Sequence, residues 1–313
     1  MRYLIASLFF LTSMIYAQEV QESHIVVEAY SGKVLSASGA TTKRSVASLT
    51  KIATAIVAVD WSTATQSDLG TTIIRIPESA SLLGESTSLG LKVGDTMSMR
   101  DALYACMLRS DNYAALGIAN HIGADILSRR AKAGDPVQAF VEEMNTLAKY
   151  VLAKNTHFSN PHGLELEPKP GYSSAADVAR FSIHAMRRNP ITFITRQQSR
   201  EIKVNGIART ITNTNELVGE TGILGIKTGT TQKAGPCLAT CMDRDPLVRI
   251  KPDGSKGVTP RRLIVVVLNS PDRFNRSRKL IKDGWAFYDA WLAAGAKVEN
   301  PKYELLATPP PVK

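Results

Sequence analysis

Strand-like runs stand at both ends of the chain and helical periodicity fills the stretch between them, and few architectures accommodate that order. Residues 24–36 (HIVVEAYSGKVLS) read as a β-hairpin turning at Ser31-Gly32. Leu49, Ile52, Ile56 and Val59 then recur at helical spacing, which predicts a buried helix beginning near Ser48. Residues 103–121, 136–152 and 175–188 are further helical stretches, the last with Asp177 early and Arg187-Arg188 late, as the helix dipole prefers. Short apolar runs return at 225–228, 237–242 and 263–268, and a final helix over 274–293 buries Leu280, Ile281, Trp285, Tyr288 and Leu292. One sheet built from both termini, covered by helices and interrupted by a helical subdomain, satisfies this order, whereas alternating βαβ units do not. The expected class is therefore α+β with an antiparallel sheet formed from both chain ends.

At 313 residues the chain has ample material for a core. Its net charge of +10 suits an anionic setting or simple solubility. The basic residues are scattered and no nucleic-acid module is present, so nucleic acid is not expected as a partner. Met1-Arg2, an apolar run over 4–16 and Ala17 ahead of Gln18 and Glu19 have the layout of a secretory signal peptide over residues 1–17. The run is short for a transmembrane helix, and an uncleaved anchor is the alternative. The expected location is the periplasm or cell envelope. Cys106, Cys237 and Cys241 form an odd set for an exported protein and read as small buried hydrophobes, with a bridge from Cys106 to one of the others left open. Residues 243–262 make a long basic hairpin connection turning at Asp253-Gly254, expected to be a solvated insertion. The proline-rich stretch over 294–313 is expected to be a disordered tail.

Three short strings carry the chemistry: Ser48-Leu49-Thr50-Lys51, Ser110-Asp111-Asn112 and Lys227-Thr228-Gly229. Each is weak alone, and their order and wide separation are the evidence. Serine and lysine three apart share a helix face, where a lysine made neutral by burial or by a second positive charge can take the hydroxyl proton. Lys227 is the candidate for that second charge. Ser110 could pass a proton between Lys51 and a leaving nitrogen, and Asn112 could hold Lys51 and a substrate amide. Asp111 is assigned no chemistry. Lys227 and Thr228 could bind a terminal carboxylate, with the small Gly229 leaving room and the N–H of Thr230 serving beside that of Ser48 as an oxyanion donor. The five histidines, His24, His121, His157, His162 and His184, show no metal-ligand spacing, and no metal site is expected.

Longer stretches around these strings extend the pattern: ASLTKIATA at 47–55, SLGLKVG at 88–94, NTHFSNPHG at 155–163 and GIKTGTT at 225–231, followed by Ala234-Gly235. Over residues 24–291 the chain resembles the low-molecular-mass penicillin-binding proteins of the D-alanyl-D-alanine carboxypeptidase family, serine peptidase family S11. The resemblance implies a β-lactamase/transpeptidase-like catalytic domain over 24–293, with Ser48 as acylated nucleophile and Lys51 as base. It implies Ser110 and Asn112 as shuttle and clamp, and Lys227 with Thr228 as carboxylate site. Its substrate would be the D-Ala-D-Ala end of peptidoglycan stem peptides, with β-lactams as covalent inhibitors and no metal or cofactor. Many family members carry a second all-β domain and a C-terminal amphipathic anchor; only about twenty residues follow Trp291 here, so a soluble enzyme is expected and membrane attachment is doubtful. The alternatives are a D,D-endopeptidase cutting crosslinks, a class A β-lactamase and a non-catalytic peptidoglycan-binding module. For the β-lactamase, Glu142, Glu143 and Asn145 lack the four-residue spacing of a deacylating pair and read as helix surface.

Overall fold

The computed structural model describes residues 22–166, 168–250, 252–298 and 304–305. The leader expected over 1–17 and the prolines at 309–311 lie outside the described residues, and no described helix is long and apolar enough to cross a membrane.

Strands β1 (Ser23–Glu28) and β2 (Val34–Ser38) form the expected hairpin. The other strands of the main sheet come from the far end of the chain: β7 (Ile223–Thr231), β8 (Gly235–Ile250) and β9 (Lys256–Leu268). Between them lie two small ribbons, β3 (Ile73–Arg75) with β4 (Thr96–Ser98) and β5 (Ser199–Val204) with β6 (Ile207–Thr212). The main sheet runs β2-β1-β9-β8-β7, antiparallel throughout, so the two chain ends meet where Ser23 to Glu28 lie opposite Leu268 to Leu263.

The period of two in the sheet sorts its side chains into two cores. Val26, Leu238, Leu263, Val265 and Val267 pack against Leu280, Ile281, Trp285 and Tyr288 of the C-terminal helix α7 (Arg273–Ala293). Ile25, Val27, Ala239, Cys241, Ile264 and Val266 face the other way, into a larger core shared with the helices of the middle segment. Those are α1 (Lys51–Thr65), α2 (Met99–Leu108), α3 (Asn112–Arg129), α4 (Pro136–Tyr150), α5 (Ala175–Ala185) and α6 (Asn189–Thr195). Ser98, Asp111, Asp135 and Ser174 each accept a backbone N–H at the start of α2, α3, α4 and α5, satisfying donors that the first helical turn leaves unpaired.

Several expectations need correction. Ser48 lies in a 3-10 turn (Ala47–Thr50) that leads into α1, not in the α-helix itself. The helical stretch over 103–121 is two helices, broken where Ser110 takes φ +63 and Asp111 caps α3. Residues 243–262 do form the expected solvated hairpin, but as a continuation of the sheet: β8 and β9 run on past it as a two-stranded ribbon, with Val248 opposite Val258 and Ile250 opposite Lys256. Within the tail expected to be disordered, Glu304 and Leu305 are buried on the β1–β2 hairpin. There the Glu304 carboxylate accepts from Lys33 Nζ and Val34 N–H, and Leu305 N–H donates to Gly32 O. All three cysteines are free thiols and buried.

Candidate active site

The site forms where the turn before α1, the junction between α2 and α3, the loop over 155–171 and strand β7 converge. Ala47 has φ +48, a conformation that costs an alanine free energy and turns the next residue outward. Ser48 is consequently half-buried while Val46, Ala47 and Leu49 around it are buried.

Lys51, fully buried, donates from Nζ to Ser48 Oγ at 2.9 Å, to Asn112 Oδ1 at 2.7 Å and to the His162 carbonyl at 2.8 Å. Three acceptors match the three protons of an ammonium and fix its position. Burial holds its pKa down to about 8, against the attraction of Cys106 and Asp111. The Cys106 thiol is itself pushed up to about 11 by burial, so near neutral pH it carries no charge to restrain that shift. Lys227 is buried as well, and desolvation first, then repulsion from Lys51, drives it well below the ordinary lysine range. The neighbouring Lys51 charge thus adds to burial in disfavouring the Lys227 ammonium, whereas burial is what lowers Lys51.

Asn112 faces two ways: Oδ1 takes the lysine, and Nδ2 donates to Ser86 O at 2.9 Å. Asp111 between the two motif residues is a fastener: Oδ1 caps α3, and Oδ2 accepts from Thr87 Oγ1, Ser88 Oγ and Leu89 N–H. Ser110 is half-buried at the helix junction, and its hydroxyl makes no hydrogen bond to Lys51 or Ser48 among the described residues. Asn112 and Lys51 are thus brought into direct contact, whereas Ser110 makes no such bond.

Gly163 binds the loop to the Ala47–Thr50 turn. It has φ +88, and a β-carbon there would lie 2.0 Å from Ala47 O and 2.8 Å from Thr50 Oγ1. The loop can therefore press close enough for His162 to offer its carbonyl to Lys51. The His162 ring, held down to about 3 by burial and by Lys51, is neutral and serves the loop by accepting Leu164 N–H.

On the opposite wall, β7 is the outer strand of the sheet. A β-carbon on Gly229 would sit 3.0 Å from Ser48 N, so glycine is what lets strand and turn meet. Thr230 pairs with Pro236, whose carbonyl accepts from Ser270 N–H on the far side at 2.8 Å. Pro236 thus points its polar backbone away from β7, and its partner Thr230 turns its own N–H to the open edge. Lys227 Nζ rests on Thr228 O at 2.9 Å, and Thr228 Oγ1 meets Thr214 Oγ1 at 2.6 Å. Arg273, from α7, donates to Gly229 O at 3.0 Å and Thr230 Oγ1 at 2.8 Å. It is a contributor with no local sequence signal, since it arrives from a helix more than forty residues later. Glu142 is exposed and Glu143 pairs with Arg130, while Asn145 tethers Phe158, so the surface reading of that helix face holds.

The model of the D-alanyl-D-alanine carboxypeptidase family (Peptidase_S11) matches residues 13–250. A D-alanyl-D-alanine carboxypeptidase of Bacillus subtilis is 31% identical over 69% of this chain, and the chain spans about half (52%) of that relative's length. A D-alanyl-D-alanine endopeptidase of Pseudomonas aeruginosa is 30% identical over 72% of this chain and 68% of its own. The crystal structure of the Streptomyces K15 DD-transpeptidase superposes with a TM-score of 0.68 at 26% identity, covering 84% of this chain and 96% of that one. An α+β fold of the transpeptidase type, shared with relatives that carry these names, leaves one assignment: the chain belongs to the D-alanyl-D-alanine carboxypeptidase family.

Proposed function

We propose that this protein is a serine D-Ala-D-Ala carboxypeptidase that removes the terminal D-alanine from peptidoglycan stem peptides through an acyl-enzyme on Ser48. The observation that carries the reading is the Lys51 ammonium, buried and centred on Ser48 Oγ, Asn112 Oδ1 and the His162 carbonyl. Once neutral, Lys51 Nζ takes the Ser48 proton as Oγ attacks the carbonyl carbon of the scissile bond. The negative charge on the carbonyl oxygen is met by the N–H groups of Ser48 and Thr230. Ser110 relays the proton to the departing D-alanine nitrogen, and water then releases the acyl group with Lys51 again as base. The substrate carboxylate lies at Lys227 and Thr228, where its charge favours the Lys227 ammonium that burial and Lys51 disfavour. β-Lactams, which offer an acyl group and a carboxylate in the same relation, acylate the same serine. The signal-peptide layout of residues 1–17 supports a location outside the cytoplasm, in the periplasm or envelope.

Crosslink hydrolysis by the same machinery is the second reading, favoured by the endopeptidase relative, 30% identical over most of the chain. The deciding assay measures D-alanine release from a stem pentapeptide beside cleavage of a crosslinked dimer. Preference for the pentapeptide is expected; preference for the dimer assigns the endopeptidase. A Ser48→Ala variant should lose covalent labelling by penicillin, and an unlabelled wild-type protein would overturn both readings.

A further inference from the structure

The acyl side of the cleft holds a carboxylate that the acyl-transfer step does not use. Glu165, half-buried within the 155–171 loop, accepts the hydroxyls of Ser45 and Thr231 on a single oxygen, Oε1. Among the described residues no donor reaches Oε2 and no lysine or arginine pairs with the group. A carboxylate keeps about four acceptor sites, and with both hydroxyls on Oε1 this one has Oε2 left to bind.

Its position relative to the proposed chemistry is fixed by strand order. Lys227 and Thr228 take the substrate's terminal carboxylate, the Thr230 N–H takes the scissile carbonyl oxygen, and Thr231, which holds Glu165, comes next along the same edge. A peptide laid along β7 in that register carries its acyl portion past Thr231. With a rise of about 3.3 Å per residue, the residue before the acyl D-alanine falls beside the Glu165 carboxylate.

We propose that Glu165 is a subsite for an ammonium carried on that residue's side chain, so that the preferred substrates are stem peptides with a free amino group preceding the two D-alanines. This rests on the acyl-transfer reading of Ser48. The competing role is mechanical, because Glu165 also ties the loop to the segment before Ser48 and to β7. Glu165→Gln separates the two: the amide oxygen still accepts both hydroxyls, and only the charge is lost.

The test compares kcat/KM for acyl-L-Lys-D-Ala-D-Ala with its Nε-acetyl counterpart, in wild type and Glu165→Gln. The readout is the ratio of the two values, which is independent of the fraction of active enzyme. Wild type should favour the free amine roughly five- to tenfold, the size expected of a half-buried ion pair, and E165Q should bring the ratio to about one. A wild-type ratio near one, or an E165Q enzyme in which both peptides slow while the ratio holds, overturns the subsite and leaves Glu165 as a clamp. Failure of the acyl-transfer reading looks different: no peptide is hydrolysed and penicillin leaves Ser48 unmodified.

Discussion

Lys51 has two requirements that oppose each other. As an ammonium it satisfies three acceptors, yet as the proposed base it must be neutral, and burial brings the two states within reach by holding the pKa down to about 8. The neutral, competent form rises with pH through that value. The second-order rate of acylation by labelled penicillin should therefore climb about tenfold per pH unit below 7 and level off above about 8. A flat profile between pH 6 and 9 would mean that another group takes the serine proton. Gly163 poses a steric requirement at the same scale. Alanine there would set a β-carbon 2.0 Å from a backbone oxygen at φ +88, so Gly163→Ala should cost at least about 2 kcal/mol and lower the thermal midpoint. It should also slow acylation, since the loop that it displaces brings the His162 carbonyl to Lys51.

At the scale of elements, the site depends on how α3 is begun. Asp111 is buried, caps the helix that starts with Asn112, and gathers Thr87, Ser88 and Leu89 with its other oxygen. Asp111→Ala removes the cap of the buried Ala114 N–H and the shared acceptor of Thr87, Ser88 and Leu89, and should cost about 2–4 kcal/mol in denaturant unfolding. Asp111→Asn, which keeps one acceptor oxygen, should lose less; equal losses would show that charge rather than geometry fastens the junction. The elements also divide according to what sequence can reveal. That Ser48, Lys51 and Asn112 meet was legible because serine, lysine and asparagine at these spacings are residue types suited to acyl transfer. The sheet from both chain ends followed from apolar pattern alone. The Asn205-Gly206 turn, with φ of +50 and +78, is a hairpin signal in the sequence from which β5–β6 can be read. The break at Ser110 was not visible, because an apolar stretch with helical spacing on both sides conceals a single left-handed residue. Arg273, Glu165 and the His162 carbonyl act through long-range placement, and no spacing rule identifies a backbone oxygen as a lysine's partner.

At the scale of the whole molecule, the sheet does two jobs along its length. Near Gly229 and Cys237 it forms a wall of the cleft, and beyond Arg262 it continues as a ribbon that the sheet does not need. The register measures the separation: Lys227 lies opposite Ala239, and Val248 is nine residues further along, roughly 30 Å away at strand rise. The base of the ribbon is anchored independently of its tip. Arg262 binds Asp243 through two bonds of 2.6 and 2.8 Å, and Arg244 lies 4.3 Å over the Trp285 ring. Outward of these, Val248, Ile250 and Val258 are exposed, so their removal takes no buried area from either core. Replacing residues 245–260 by Asn-Gly joins Arg244 to Arg261, a pair already in register, through a two-residue turn suited to a hairpin. The shortened protein should unfold within about 0.5 kcal/mol of the parent and take up labelled penicillin at the parental rate. A large loss of stability would place the ribbon in the folding unit, and slower labelling with unchanged stability would reveal a coupling along β8 to the cleft.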